Sequence, residues 1–190
     1  SKNATKYYHL LGINMIIGIL SDTHDNKQNI EKARKVFSEH NVELCLFTGD
    51  LVSPFTLKFL SEWSIPIKAI FGNNEGDKWG IKRRFKTFNI TNIEYAPKSG
   101  LFWKIEHPDG NIALFHGHIP EFTDLLVNSG EYQLVCTGHT HVPHIKVVGK
   151  TTWINPGSIT GFSTDDPSIN VGTVAVFNTK TKEATIISLN

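Results

Sequence analysis

Short apolar runs alternate with segments of helical period from residue 15 to residue 88, and each run stops at a polar side chain or a glycine. Residues 15–21 read as a buried strand. Residues 26–40 follow with Ile30, Ala33 and Phe37 on one helical face and charges on the other. A second strand spans 42–48. Ser53 and Pro54 then supply an N-cap and a first helical residue, opening a helix with Phe55, Phe59, Leu60 and Trp63 at helical spacing. Residues 66–71 form a third strand. The helix at 77–88 groups Ile81, Phe85 and Phe88 and is basic outside, at Lys82, Arg83, Arg84 and Lys86, a face read as solvated.

Beyond residue 100 the pattern changes and is richer in antiparallel strands. Strands near 101–107 and 111–116 flank the hairpin signal Asp109-Gly110. A short helix is expected near 120–129, strands at 132–137, 144–148 and 151–154, and a hairpin over 171–189 turning at Asn178–Lys180. No linker divides the halves, and 190 residues suffice for a full core. The predicted fold is a single α/β domain: two facing mixed β-sheets flanked by helices, a four-layer α/β/β/α sandwich.

Met15 is the one methionine and opens the first strong strand. Residues 1–14 therefore read as an N-terminal extension, a cloning remnant or a misread upstream start, with the domain at 15–190. Lys2, Lys6 and the apolar run after them resemble a signal peptide. No A-x-A-like site follows, and cleavage would remove the strand leading to Asp22.

A net charge of +1 gives no overall field for nucleic acid or an anionic membrane, so neither is an expected partner. No uncharged apolar run approaches the length of a membrane span. Cys45 and Cys136 each sit inside an apolar run, without a CxxC pair, which argues against a thiolate zinc site and suits reduced, cytoplasmic cysteines. Self-association is left open.

The strand ends carry the chemistry. The first apolar run ends in Ser21-Asp22-Thr23-His24, the second in Thr48-Gly49-Asp50 and the third in Gly72-Asn73-Asn74. NIALF ends in His116-Gly117-His118, and YQLVC ends in Thr137-Gly138-His139-Thr140-His141. Ligands of open α/β sheets collect at the carboxyl ends of strands. Taken singly, each motif has a plainer reading. Asp22 and His24 suit a strand-end turn, Asp50 a turn residue, Asn73-Asn74 a turn pair, and His139 and His141 exposed loop histidines. Those readings do not explain why all five ends carry metal-competent groups. Asp, Asn and His without Cys suit Mn, Fe, Co, Ni or Zn. Asp22, His24, Asp50, Asn73, His116, His139 and His141 are too many for one ion. Two divalent ions sharing a carboxylate use them all, the arrangement for in-line attack at phosphorus.

In that order DTH, GD, GNN, HGH and GHTH, with the Asn155-Pro156-Gly157-Ser158 loop, resemble the calcineurin-like metallophosphoesterases, and best their small bacterial and archaeal phosphodiesterase branch. The resemblance runs from about Met15 to the C-terminus. It implies two divalent metal ions, manganese first, with nickel, cobalt, iron or zinc as alternatives. Asp22, His24 and His141 would hold one, Asn73, His116 and His139 the other, and Asp50 would bridge them. It implies hydrolysis of a small-molecule phosphodiester by a hydroxide between the ions. The alternatives are a phosphomonoesterase or nucleotidase on the same site, or a binding scaffold like the retromer subunit of this branch. Many members carry histidine where Asn74 stands, and that histidine protonates the leaving group. Asn74 has no suitable pKa, so His118 becomes the candidate acid. Asn74, His118 and Ser158 are the candidate substrate contacts, with Ser158 read equally as a support behind the ligands or as a plain turn residue. Trp79, after the GNN loop, is a candidate cleft wall; Trp63, Trp103 and Trp153 are read as core or cleft walls, and His9, His40, His107 and His144 as surface or packing residues.

Overall fold

The computed structural model describes residues 14–190. The expected extension therefore lies outside the described residues, save Asn14. Strands β1 (Ile16–Leu20), β2 (Leu44–Phe47), β3 (Ile67–Ala69) and β4 (Ile93–Tyr95) pair in parallel. Helix α1 (Lys27–Glu39) starts where the side chain of Asn26 accepts the Asn29 N–H, and it buries Ile30, Ala33 and Phe37 as its spacing requires. Helix α3 (Lys78–Thr87) starts likewise, with Asp77 accepting the Gly80 N–H at 2.7 Å.

Two departures from expectation occur here. The helix expected from Ser53-Pro54 is a run of turns, and α2 is only Leu57–Leu60. Ser53 Oγ accepts the N–H of Phe55, two residues on, so the hydroxyl closes a local turn and caps no helix. Phe55 is 62 % exposed, its ring under the Arg84 guanidinium at 4.3 Å. β4 was not expected: three residues in a polar stretch are too short to show a period of two.

The second sheet contains β5 (Phe102–Ile105), β6 (Asn111–Phe115), β7 (Tyr132–Cys136), β8 (His144–Val148) and β9 (Thr151–Asn155) in the order β5-β6-β7-β9-β8. Helix α4 (Pro120–Asn128) joins β6 to β7. The closing hairpin, β10 (Thr173–Asn178) and β11 (Ala184–Ser188), returns to the first sheet, giving β11-β10-β1-β2-β3-β4.

Strand alternation sorts the core into layers. Ile17, Ile19, Leu44, Leu46 and Ile70 face the other sheet, where Ile112, Leu114, Leu134, Cys136 and Ile154 meet them. Leu20, Cys45 and Phe47 point the other way, onto Ile30, Phe37, Leu57, Leu60 and Ile81. Leu126 and Val127 of α4 cover Ala113, Phe115 and Val135. Burying each such aliphatic or aromatic side chain contributes about 1.5–3 kcal/mol. The result is the four-layer sandwich, with β1, β2, β3, β6 and β7 ending at one common edge. Cys45 and Cys136 are buried, unbonded to each other, in different layers. Trp63 is core, but Trp79 is 78 % exposed on α3 with Lys82 Nζ 5.7 Å from its ring.

His144 packs edge-on to Trp153 at 4.4 Å. Burial, reinforced by Lys146, pushes its pKa down to about 4. The unfolded chain, with histidine near ~6.5, binds that proton more readily. Its contribution is thus complete above that pH and fades as pH falls toward 4. His144→Phe is expected to flatten the fall in urea midpoint between pH 7 and pH 5 relative to the parent. Equal falls in both proteins would contradict this.

Candidate metal centre

The five strand ends share one edge, and backbone bonds register them: Asp22 N–H donates to Gly49 O at 3.0 Å, His24 N–H to Asp50 O at 3.2 Å, and Gly138 N–H to His116 O at 2.8 Å. Asp22 (φ 53°), His24 (37°), Asp50 (59°), His139 (70°) and His141 (60°) all lie in the left-handed region. Non-glycine residues rarely adopt it, at a cost of roughly 1–3 kcal/mol each, and such strain clusters at functional sites. Here it turns each side chain off its strand end into the cleft. Gly72 permits a close approach, since a Cβ there would collide with Asp50 Oδ1.

Six of the seven expected ligands converge on two carboxylates or on each other's rings, and the seventh, Asn73, joins through His139. His141 Nε2 lies 3.1 Å from Asp22 Oδ1, and His24 Nε2 lies 3.9 Å from Asp22 Oδ1 and 3.6 Å from Asp50 Oδ2. His116 Nε2 lies 3.4 Å from Asp50 Oδ1 and 3.9 Å from Asp22 Oδ1. His139 Nδ1 lies 2.9 Å from Asn73 Oδ1, and its ring centroid is 5.3 Å from that of His116. Asp22 therefore stands as centrally as Asp50, each carboxylate facing both His24 and His116.

Ring orientation decides what the cleft presents. His116 Nδ1–H donates to Thr48 O at 2.8 Å and His141 Nδ1–H to Phe162 O at 2.6 Å, since a carbonyl can only accept. In the neutral rings each Nε2 is then a bare acceptor aimed at a carboxylate. Asp22 Oδ1, His24 Nε2 and His116 Nε2 are buried without any hydrogen-bond partner. Converging buried acceptors without a donor are costly unless a cation sits among them. Asp22, His24 and His141, and separately Asp22, Asp50 and His116, offer ligand atoms within 4.8 Å of one another. The residues present fit divalent metal.

The protonation pattern agrees. Burial by itself would raise Asp22 and Asp50, but facing histidines, His141 and His24 for Asp22 and His116 for Asp50, outweigh it and hold both low. Burial would lower His116 and His141, but Asp50 and Asp22 outweigh it and raise both. The cleft thus draws in protons that a bound metal ion would displace.

The remaining expected site residues surround this cluster. Asn74 donates to both Asp50 oxygens, N–H to Oδ1 at 2.8 Å and Nδ2 to Oδ2 at 2.9 Å, so its amide clamps the carboxylate. The ring of His118 lies 5.7 Å from His116 and 6.3 Å from His139, half-buried, with Nδ1 unbonded. Burial and these two rings lower its pKa. Ser158 takes the supporting one of its expected roles. It is 1 % exposed and its hydroxyl donates to Asp22 O at 3.0 Å, holding the Asp22 loop from beneath. Two residues carry roles that the motif reading did not assign. Asn155 Nδ2 donates to Gly138 O at 2.7 Å and secures the GHTH turn. Glu75 accepts backbone N–H groups from two loops. A cavity of about 580 Å³ lined by Asn41, Val42, Ser64 and Ile65 lies at the opposite edge of the sheet, before β2 and β3 begin, and touches none of these residues.

With this geometry the family is decided by a match over residues 15–182 to the calcineurin-like phosphoesterase superfamily domain. The chain belongs to that superfamily. Among calcineurin-like relatives, a phosphodiesterase of Methanocaldococcus jannaschii is 36 % identical over 157 residues, 83 % of this chain and 92 % of that one. A probable metallophosphoesterase of Methanothermobacter thermautotrophicus is 33 % identical, covering 83 % of this chain and 84 % of that one. A solved archaeal phosphodiesterase is 34 % identical and superposes with a TM-score of 0.78 over 92 % of this chain and 99 % of that one. Vacuolar protein sorting 29 from Cryptosporidium parvum shares the fold at 15 % identity, with a TM-score of 0.64 over 92 % of this chain and 96 % of that one.

Proposed function

We propose that the chain is a metal-dependent phosphodiesterase acting on a small-molecule diester. The observation that carries this is the set of buried acceptors, Asp22 Oδ1, His24 Nε2 and His116 Nε2, that face one another without a donor. Asp22, His24 and His141 would hold one divalent ion and Asn73, His116 and His139 the other, with Asp50 between them. Bound there, such ions supply Lewis acidity toward phosphoryl oxygens and lower the pKa of a water. Manganese is our first choice, because hard oxygen ligands share the set with imidazole. The buried free thiols fit a reducing, cytoplasmic setting, and no helix among the described residues is long and apolar enough to cross a membrane.

Charge favours a diester over a monoester. A monoester dianion is best held by a guanidinium fork. The three arginines are all elsewhere: Arg34 binds Glu31 at 2.8 Å, Arg83 lies 3.9 Å from Asp77, and Arg84 covers Phe55. A diester monoanion needs no such fork.

The leaving alkoxide needs a proton, and His118, its ring beside those of His116 and His139, is our candidate donor. His118→Ala is expected to slow alkyl diesters by roughly 10²-fold or more and nitrophenyl diesters by under about tenfold. Equal losses on both would remove His118 from that role. The function itself is tested with bis-(p-nitrophenyl) phosphate. Turnover is expected with added Mn²⁺ or Ni²⁺ and is expected to cease with EDTA. Metal-loaded protein cleaving neither this diester nor p-nitrophenyl phosphate would favour a binding scaffold.

A further inference from the structure

We propose that Glu75 is a positioning residue that sets the second metal position by locking the Asp50 loop to the Asn73 loop; this rests on the two-ion reading above. Its Oε1 accepts the N–H of Leu51 and the N–H of Gly72, each at 3.2 Å, and its Oε2 accepts the N–H of Val52 at 3.1 Å. Leu51 and Val52 directly follow Asp50, and Gly72 directly precedes Asn73. One carboxylate therefore stitches two loops that are 20 residues apart in sequence and carry ligands of the same ion.

The clamp also answers a strain. Val52 has φ 76°, a conformation that a β-branched residue adopts at real cost. Its N–H is bound by Glu75, and its carbonyl accepts the Gly76 N–H at 3.3 Å. The segment 74–76 thus grips Val52 from both sides, while Asn74 grips the Asp50 carboxylate. The ligands unique to the other ion, Asp22, His24 and His141, receive nothing from Glu75. Asp22 is held by Ser158 and by the His139 N–H at 3.1 Å, and His141 by Phe162 O.

This asymmetry gives the test. Glu75→Gln keeps the volume but points an N–H₂ donor at one or more backbone N–H groups. Mn²⁺ alone is titrated calorimetrically into the whole chain, alongside a thermal melt. The parent is expected to bind two ions. The variant is expected to bind one with parental affinity and the other about 10–100-fold more weakly, the usual effect of losing a residue that orients a ligand. Parental affinity at both positions, or an equal loss at both with a collapsed melt, would overturn the inference. A parent that takes up no Mn²⁺ would remove the two-ion reading and this inference with it. Should Glu75→Gln fail to fold, it is combined with Val52→Gly, which relieves the positive φ, and the same two outcomes apply.

Discussion

Asp50→Asn is expected to reduce kcat/KM for bis-(p-nitrophenyl) phosphate by about 10³-fold or more, roughly 4 kcal/mol. Both Asp50 oxygens are already committed to Asn74, and both face imidazole nitrogens, His116 at 3.4 Å and His24 at 3.6 Å. A carboxamide would place a donor against one of the two Asn74 donors, the backbone N–H or Nδ2, each of which needs an acceptor there. It would also remove one of the two charges that balance cations in the cleft. Initial rates at saturating Mn²⁺, with an unchanged circular dichroism spectrum, provide the check. Activity within tenfold of the parent would mean that Asp22, equally central by distance, can do the work alone.

Gly49→Ala is expected to cost about 3 kcal/mol or more in stability. Gly49 has φ 103°, and a Cβ there would lie 2.5 Å from Gly72 N and 2.7 Å from Gly72 Cα. Those are backbone atoms of the neighbouring ligand loop, so no rotamer change relieves the contact. For a domain of this size the melting temperature should fall by roughly 6–12 °C. A melt within about 2 °C of the parent would show that the two loops have room to part.

These glycines mark what was legible in the sequence. A buried strand that must deliver a polar side chain at its very end needs a sharp turn, and Gly49, Gly72, Gly117 and Gly138 stand beside the ligands for that reason. The apolar runs at β1, β2, β6 and β7 were equally readable, because both faces of these strands are covered, one by the partner sheet and the other by helices or their loops. What stayed hidden depends on partners far along the chain. Glu75 looks like the tail of a loop motif until its bonds to Leu51 and Val52 are seen. Ser158 looks like a loop hydroxyl until Asp22 O is found above it. The cap signal at Ser53-Pro54 was locally sound, but Phe55 turns out toward Arg84 and the helix waits until Leu57.

We propose that seven side chains cage two cations at one sheet edge. Anomalous diffraction from crystals soaked in Mn²⁺ tests it most directly. Two strong peaks are expected, flanking the Asp50 carboxylate, one among Asp22, His24 and His141 and the other among Asn73, His116 and His139. A single peak, or none within this cluster, would contradict the account.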